Sequence, residues 1–200
     1  MLKLLLATAN PGKVREYRRL LRDLPFKLVT LAEEGINTVV AEQGASFEEN
    51  ARLKATAYAH LSQLTSLADD SGLEIDALGG KPGVHSARFA GEKSTDETKI
   101  ENLLARLKDV PKEKRTARFK CVIAIASPTG KVALCSGECH GLIALESRGE
   151  DGFGYDPIFY IPELDKTMAE LPLEIKNQIS HRGKAVQKAR RLLEDLRLNY

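Results

Sequence analysis

The start of the chain places a buried strand, a polar turn and a helix in direct succession. The apolar run Leu2–Ala7 has the length of a buried strand, and it ends at the turn-forming residues 8–12. Apolar side chains then recur at helical spacing, at Val14, Tyr17, Leu20, Leu21 and Leu24. A second strand is predicted over 26–31. This order predicts an α/β fold.

The remaining patterns extend the same fold. Ser46, with Glu49 three residues later, predicts the N-cap of a second helix. Strands are predicted at 66–68 and 73–78, the first running into residues 69–72, and a third helix at 95–107. Two long strands over 116–126 and 131–145, a hairpin at 128–130 and a last helix over 180–197 complete the chain. The order predicts a mixed β-sheet flanked by helices, in a single domain over 1–200.

Composition excludes several classes of protein. The 200 residues carry 30 Lys and Arg against 28 Asp and Glu, a formal net charge of +2, and 42% are hydrophobic. These values are typical of a globular protein and not of a disordered chain or a generally basic nucleic-acid coat.

Location is predicted from the cysteines and from the apolar runs. The three cysteines are too few for a disulfide scaffold, so we expect reduced thiols in a cytoplasmic protein. No apolar run approaches the roughly 20 residues of a membrane span, and the N-terminal run is expected to be a strand, not a signal peptide. We therefore expect no association with a membrane.

The turn after the first strand has the composition of an anion site. Backbone N–H groups and a helix N-terminus attract phosphate, and Lys13 adds a full positive charge beside Thr8 and Asn10. The spacing is not that of a Walker A loop. An ordinary turn at a helix start explains the same residues equally well.

Asp69 and Asp70 predict a site for a hard cation. Adjacent carboxylates repel each other unless a cation is near, and their oxygens suit Mg²⁺. Neighbours in a strand point to opposite faces, so one carboxylate can bind metal while the other acts as a base. The alternative is an Asp-rich turn. Further candidates are Glu42, Glu48 and Glu49, each of which is otherwise a solvated or capping residue.

A glycine-rich loop and a basic cluster follow in the last third of the chain. Phe153, between two glycines, could stack on a nucleobase, although aromatic residues beside a strand more often lie in the core. His181 and Arg182 are predicted in a first helical turn, where cations oppose the helix dipole. Such a position requires solvent or an anion, so it favours a functional site over a merely solvated helix. Together with Lys176, these features fit a metal-dependent enzyme acting on a nucleotide polyphosphate.

Five motifs in this order resemble the inosine triphosphate pyrophosphatase family, the Ham1-like pyrophosphatases of non-canonical purine nucleoside triphosphates. The motifs are TANPGK (8–13), SFEENARLKA (46–55), LADDSGLEIDALGGKPGVHSARFAG (67–91), GFGYDPIF (152–159) and ISHRGKA (179–185). The resemblance covers nearly the whole chain, and the combination of ADDSGL, GFGYDP and SHRG is specific.

The resemblance implies an activity and a shape. Family members hydrolyse ITP, dITP and XTP to the monophosphate and pyrophosphate with Mg²⁺, and they are generally cytoplasmic homodimers. Their α/β fold is an elongated mixed β-sheet flanked by helices, with two lobes and a central active-site cleft.

The resemblance also implies roles for individual residues. Asp70 would be the general base and, with Glu42, a ligand of the metal. Ser71 would touch the substrate. The remaining residues would bind the substrate's phosphates, sugar or base: Thr8, Ala9, Asn10, Pro11, Gly12 and Lys13 for the triphosphate, Phe153, Gly154, Tyr155 and Asp156 for base and sugar, and Lys176, His181 and Arg182 for base and phosphate.

Two other functions compete with this one. A Maf-like pyrophosphatase of modified pyrimidine nucleotides would share the broad architecture, but GFGYDP and SHRG weigh against it. A nucleic-acid-binding module would use the basic C-terminal helix, but it would need interleaved aromatic residues, and the inward face of that helix is aliphatic.

Overall fold

A computed structural model of the chain describes residues 2–91 and 94–198. One mixed sheet has the strand order β2-β1-β3-β4-β5-β6-β7. The strands are β1 Leu2–Leu6, β2 Phe26–Thr30, β3 Thr65–Ile75, β4 Thr116–Ala126, β5 Val132–Ile143, β6 Phe159–Ile161 and β7 Lys166–Thr167. The α-helices are α1 Pro11–Leu20, α2 Phe47–Ser62, α3 Asp96–Arg106, α4 Leu173–Ile179 and α5 His181–Leu198.

The predicted fold class is confirmed. Strand β1 pairs in parallel with both β2 and β3, whereas β6 pairs antiparallel with β5 and β7, so the sheet is mixed. Helix α2 begins where the sequence predicts, because the Ser46 side chain accepts the Glu49 N–H at 3.2 Å. The Glu49 carboxylate accepts the N–H of Ala45, one residue before the expected partner. The elongated shape and the cleft stay predictions.

The interruption predicted between the strands at 66–68 and 73–78 is wrong, and so is the alternative of an Asp-rich turn there. Strand β3 runs without interruption from Thr65 to Ile75 and carries both aspartates in its middle. Asp favours turns because its carboxylate can accept a hydrogen bond from a backbone N–H two residues further along the chain. Here both carboxylates find partners elsewhere in the fold, so the strand can bury them. Helix α4 and the two-residue β7 were not predicted, since neither is long enough to show a period.

The chain divides into two compact units. The first unit comprises the described residues of Met1–Asp70, Cys121–Gly137 and Arg182–Tyr200. Its core joins apolar side chains of β1, β3 and β4 to those of α1 and α5. The fully buried members of this core include Leu4, Tyr17, Leu67, Ile123, Ala189 and Leu193.

The second unit comprises Ser71–Lys120 and Glu138–His181. Its core is built from the end of β3, helix α3, the first part of β4 and strands β5 and β6. The fully buried members include Leu73, Leu103, Ile143, Phe159 and Met168. In the described part of the chain, no helix combines the length and apolar character needed to cross a membrane.

Candidate active site

The loop between β1 and α1 has the geometry of a helix start. The Asn10 side chain accepts the N–H of Lys13 at 3.0 Å, and the Thr8 hydroxyl accepts the N–H of Asn10 at 3.2 Å. Pro11 is the first helical residue, where its missing N–H costs nothing. Ala9 is exposed and Gly12 is buried. The loop therefore presents a helix N-terminus, which attracts anions.

Asp69 and Asp70 point to different partners, as alternation along a strand requires. The Asp69 carboxylate lies 3.0 Å from the Lys13 ammonium, whereas the Asp70 carboxylate accepts a hydrogen bond from Asn50 of α2 at 2.9 Å. The two neighbouring carboxylates therefore have separate environments and can have separate roles.

Asp69 belongs to a buried group of four charges, which we call the charge quartet: Lys13, Glu16, Asp69 and Arg182. The Arg182 guanidinium lies 2.6 Å from Glu16 and 3.5 Å from Asp69. Two cations thus balance two anions. Burial alone would raise the pKa of Asp69, but Lys13 and Arg182 hold it well below its usual range. Asp69 is therefore ionised throughout the neutral range.

The charge quartet explains why a cation can occupy the first turn of α5. Arg182 is 1% exposed there, and the unfavourable helix dipole is offset by the carboxylates of Glu16 and Asp69. The sequence predicted that a cation at this position requires solvent or an anion, and the structure gives Arg182 two anions of the protein itself, Glu16 and Asp69. The predicted contact of Arg182 with substrate stays a prediction.

Asp70 has the environment of a base. Burial raises its pKa; the Lys54 ammonium lowers it in part, and the nearby Glu42 carboxylate raises it again. Lys54 donates to Glu42 at 2.5 Å and to the backbone carbonyl of Asp69 at 2.7 Å. A carboxylate whose pKa is raised in this way holds a proton more readily than a solvated aspartate does.

The oxygen donors near Asp70 fit a divalent cation. The Glu42 carboxylate raises the pKa of Asp70 by charge repulsion, and a cation between the two would relieve this repulsion. Among the residues that the structure describes, no three His, Cys, Asp or Glu side chains group to hold a metal. Mg²⁺ does not need three, because it usually takes one or two carboxylates together with substrate phosphates and water.

In the second unit, the Asp156 carboxylate organises the glycine-rich loop. It accepts a hydrogen bond from the Lys176 ammonium at 2.6 Å and another from the Phe153 N–H at 2.9 Å. Gly152 lies beside this carboxylate with a φ of +85°, and any side chain there would clash with it. The Lys176 ammonium lies 5.1 Å from the centre of the half-buried Phe153 ring. The structure thus brings Phe153, Asp156 and Lys176 together, while their contacts with substrate stay predictions.

The other predicted residues of this unit are mostly buried. The Tyr155 hydroxyl donates to the carbonyl of Ser86 at 3.0 Å, so its ring belongs to the core. His181 stacks on Phe119 with ring centres 4.7 Å apart. Ser71 is half-buried in β3, directly after Asp70.

Sequence reasoning missed Asn50 and Lys54, although a signal for them exists. Both lie at the spacing of the buried face of α2, between positions 47, 51, 55 and 58. A polar side chain on an otherwise apolar helical stripe must find a partner in the interior. Here those partners are Asp70, Glu42 and the Asp69 carbonyl.

The raised pKa of Asp70 predicts that the Asp70→Asn variant is more stable than the wild type at neutral pH. A carboxyl whose pKa is higher folded than unfolded loses its contribution to stability as pH rises through the folded pKa. At about pH 7 the ionised Asp70 therefore opposes folding, while asparagine keeps an acceptor for Asn50. We expect a higher Tm for the variant by scanning calorimetry.

The same measurement in acid supplies the control. As the wild-type carboxyl becomes protonated, the difference in Tm between the two proteins should shrink. A variant that melts below the wild type at neutral pH would contradict the account of Asp70 as a destabilising charge.

Comparison with known proteins supports one family throughout. The model of the Ham1 family matches residues 4–192. The chain is 52% identical over 195 residues to the dITP/XTP pyrophosphatase of Desulforamulus reducens, covering 98% of this chain and 97% of that protein. It is 49% identical over 194 residues to the protein of the same name from Bacillus subtilis, covering 97% and 98%. The structure of a HAM1 protein from Coxiella burnetii superposes with a TM-score of 0.88 at 43% identity, covering 98% of this chain and 100% of that one.

Proposed function

The chain belongs to the Ham1 family, and from that premise we propose that it hydrolyses non-canonical purine nucleoside triphosphates to the monophosphate and pyrophosphate. Membership in this family removes the Maf-like alternative. The observation that carries the proposal is the similarity, over nearly the full length of both chains, to proteins named dITP/XTP pyrophosphatase. The substrates we propose are ITP, dITP and XTP. A homodimer and a cytoplasmic location stay predictions.

We assign the triphosphate to residues of the first unit. The N-terminus of α1 and the backbone of residues 8–12 offer donors to phosphate oxygens. Lys13, whose side chain is 14% exposed, can share its ammonium between Asp69 and a phosphate. As the bond between the α and β phosphates breaks, this ammonium stabilises the negative charge of the departing pyrophosphate.

Asp70 is the group that we assign to the proton transfer. Its carboxylate orients a water molecule toward the phosphorus and accepts the proton that the water loses. Asn50 fixes the carboxylate by a hydrogen bond, and Lys54 fixes both Glu42 and the β3 backbone beside it. When bound at Glu42 and Asp70, Mg²⁺ would neutralise charge on the phosphate oxygens.

The residues of the second unit are assigned to the base and sugar. Phe153 offers a ring for stacking, and the glycine-rich loop offers backbone groups to the edge of the base. A donor to the 6-oxo group of hypoxanthine or xanthine would be left unpaired by adenine, which carries an amine there. Lys176 and His181 are the donors that we assign from this unit, and Arg182 from the first.

A parallel assay of six nucleotides tests the proposal. Pyrophosphate release is measured from ITP, XTP, GTP, ATP, CTP and UTP with Mg²⁺. We expect ITP and XTP to be preferred over ATP by about 10²-fold or more in kcat/KM, because an unpaired buried donor is costly. Chelation of the metal should abolish the activity. Equal turnover across the panel, or none, would show that the substrate is misassigned.

A further inference from the structure

Asp96 connects helix α3 to the glycine-rich loop. Its carboxylate accepts the N–H of Gly154 at 2.7 Å through one oxygen and the Lys99 ammonium at 3.0 Å through the other. Asp96 is the first residue of α3, directly after the N-cap Thr95, whose side chain accepts the N–H of Thr98. The helix start is therefore capped independently, and the Asp96 carboxylate is not needed as a cap.

Two carboxylates hold two successive N–H groups of the loop. The Phe153 N–H is held from within the loop by Asp156, and the Gly154 N–H is held from outside it by Asp96. Gly154 has a φ of +64°, a backbone conformation that only glycine adopts without cost. The Asp96 bond thus fixes this peptide group to helix α3, whose start is capped by Thr95.

Fixing the Gly154 N–H also limits the orientation of Phe153. The peptide group between the two residues is planar, so holding its N–H sets the direction of the Phe153 carbonyl and the backbone torsion that precedes it. The Phe153 side chain branches from the Cα atom at one end of the bond about which that torsion turns. By holding this peptide group, the Asp96 carboxylate therefore restricts the orientation of the Phe153 ring.

We propose that Asp96 is a positioning residue for the nucleobase: it holds the peptide between Phe153 and Gly154 so that the loop is ready to receive a purine. This inference rests on the proposed function, which assigns the base to that loop. In this proposal Asp96 acts through the loop and not through a contact of its own with the nucleotide. Its side chain is 43% exposed, so its removal leaves the core of the second unit intact.

Three variants separate the Gly154 bond from the ion pair with Lys99. Asp96→Ala removes both interactions. Asp96→Asn keeps an oxygen that can accept the Gly154 N–H but loses the charge. Lys99→Met removes the ion pair and leaves the Gly154 bond in place. Each variant is measured for KM and kcat with ITP and for its Tm. The Kd of ITP with the metal chelated is measured by calorimetry, and inorganic triphosphate serves as a competitive inhibitor that has no base.

We expect Asp96→Ala to raise both the KM and the Kd of ITP by up to about tenfold, because the energy of the Gly154–Asp96 hydrogen bond limits what holding the loop in place can contribute to binding. Its kcat and the inhibition constant of inorganic triphosphate should stay within about twofold of the wild type. Asp96→Asn should recover most of the affinity, and Lys99→Met should bind ITP as the wild type does. A merely structural role would lower the Tm without separating the nucleotide from the inorganic triphosphate.

Several results would overturn the inference. An unchanged Kd of ITP in Asp96→Ala would do so, as would an equal weakening of ITP and inorganic triphosphate. Loss of affinity in Lys99→Met as large as in Asp96→Ala would assign the effect to the ion pair instead. Because the Kd does not depend on turnover, a wild type that binds ITP without releasing pyrophosphate would contradict the proposed function alone. A wild type that does not bind ITP, either with Mg²⁺ present or with the metal chelated, would overturn both.

Discussion

The Asp70→Asn variant should lose turnover by about 10²- to 10⁴-fold, the usual contribution of a general base. Asparagine has nearly the shape of aspartate and can still accept the hydrogen bond from Asn50, but it cannot take a proton from water. The loss should therefore appear in kcat. Pyrophosphate release from ITP at saturating substrate measures it.

A matched control for Asp70→Asn lies on helix α2. Glu49, one of the carboxylates considered for the cation site, is an exposed capping residue that accepts the N–H of Ala45, and the proposed machinery does not include it, so Glu49→Gln changes a charge on the same helix as Asn50 and Lys54. We expect its kcat to match that of the wild type. Turnover of Asp70→Asn close to the wild-type rate would remove Asp70 from the role of base.

The Glu16→Gln variant should lose about 3 kcal/mol or more of the free energy of unfolding, because breaking a buried ion pair leaves a charge uncompensated. The Arg182 side chain is 2% exposed and would lose the nearer of the two carboxylates, Glu16, while the more distant Asp69 stays. The charge quartet would then carry a net positive charge in the interior. Urea unfolding followed by circular dichroism measures the loss.

An exposed ion pair of the same chemistry provides the comparison. Arg18 and Glu33 lie 2.8 Å apart with side chains about half exposed, so Glu33→Gln should cost much less than Glu16→Gln. Equal losses in the two variants would mean that burial adds nothing to the Glu16 pair. That result would contradict the account of the charge quartet given above.

Local sequence was sufficient to predict most of the sheet and most of the long helices. The apolar run at the N-terminus and the Ser46 cap act within a few residues, so their outcome does not depend on the rest of the fold. Strand β3 is different. Its aspartates lie in a strand because Asn50, Lys13 and Arg182 supply their partners, and two of those three come from distant parts of the chain.

The site was predictable where its residues cluster in sequence. Residues 8–13 and 153–156 each form one loop, so their composition shows their chemistry. Glu16 and Asp96 carry no such signal, because their partners Arg182 and Gly154 lie far away in sequence and only the fold brings them together. The sequence alone does not distinguish a charged helical residue that binds a distant partner from one that is simply solvated.

The uninterrupted β3 also limits how the gene for this protein can change in length. A residue inserted or deleted between Thr65 and Asp69, with the start of the strand held in register, would turn each following side chain to the other face of the sheet. Asp70 would then face the side of the sheet that carries Lys13 and Arg182, and Asp69 would face helix α2. A single insertion or deletion would therefore displace both the structural carboxylate of Asp69 and the proposed catalytic carboxylate of Asp70. Changes in the length of the loop before α2 leave the alternation of side chains along β3 unchanged.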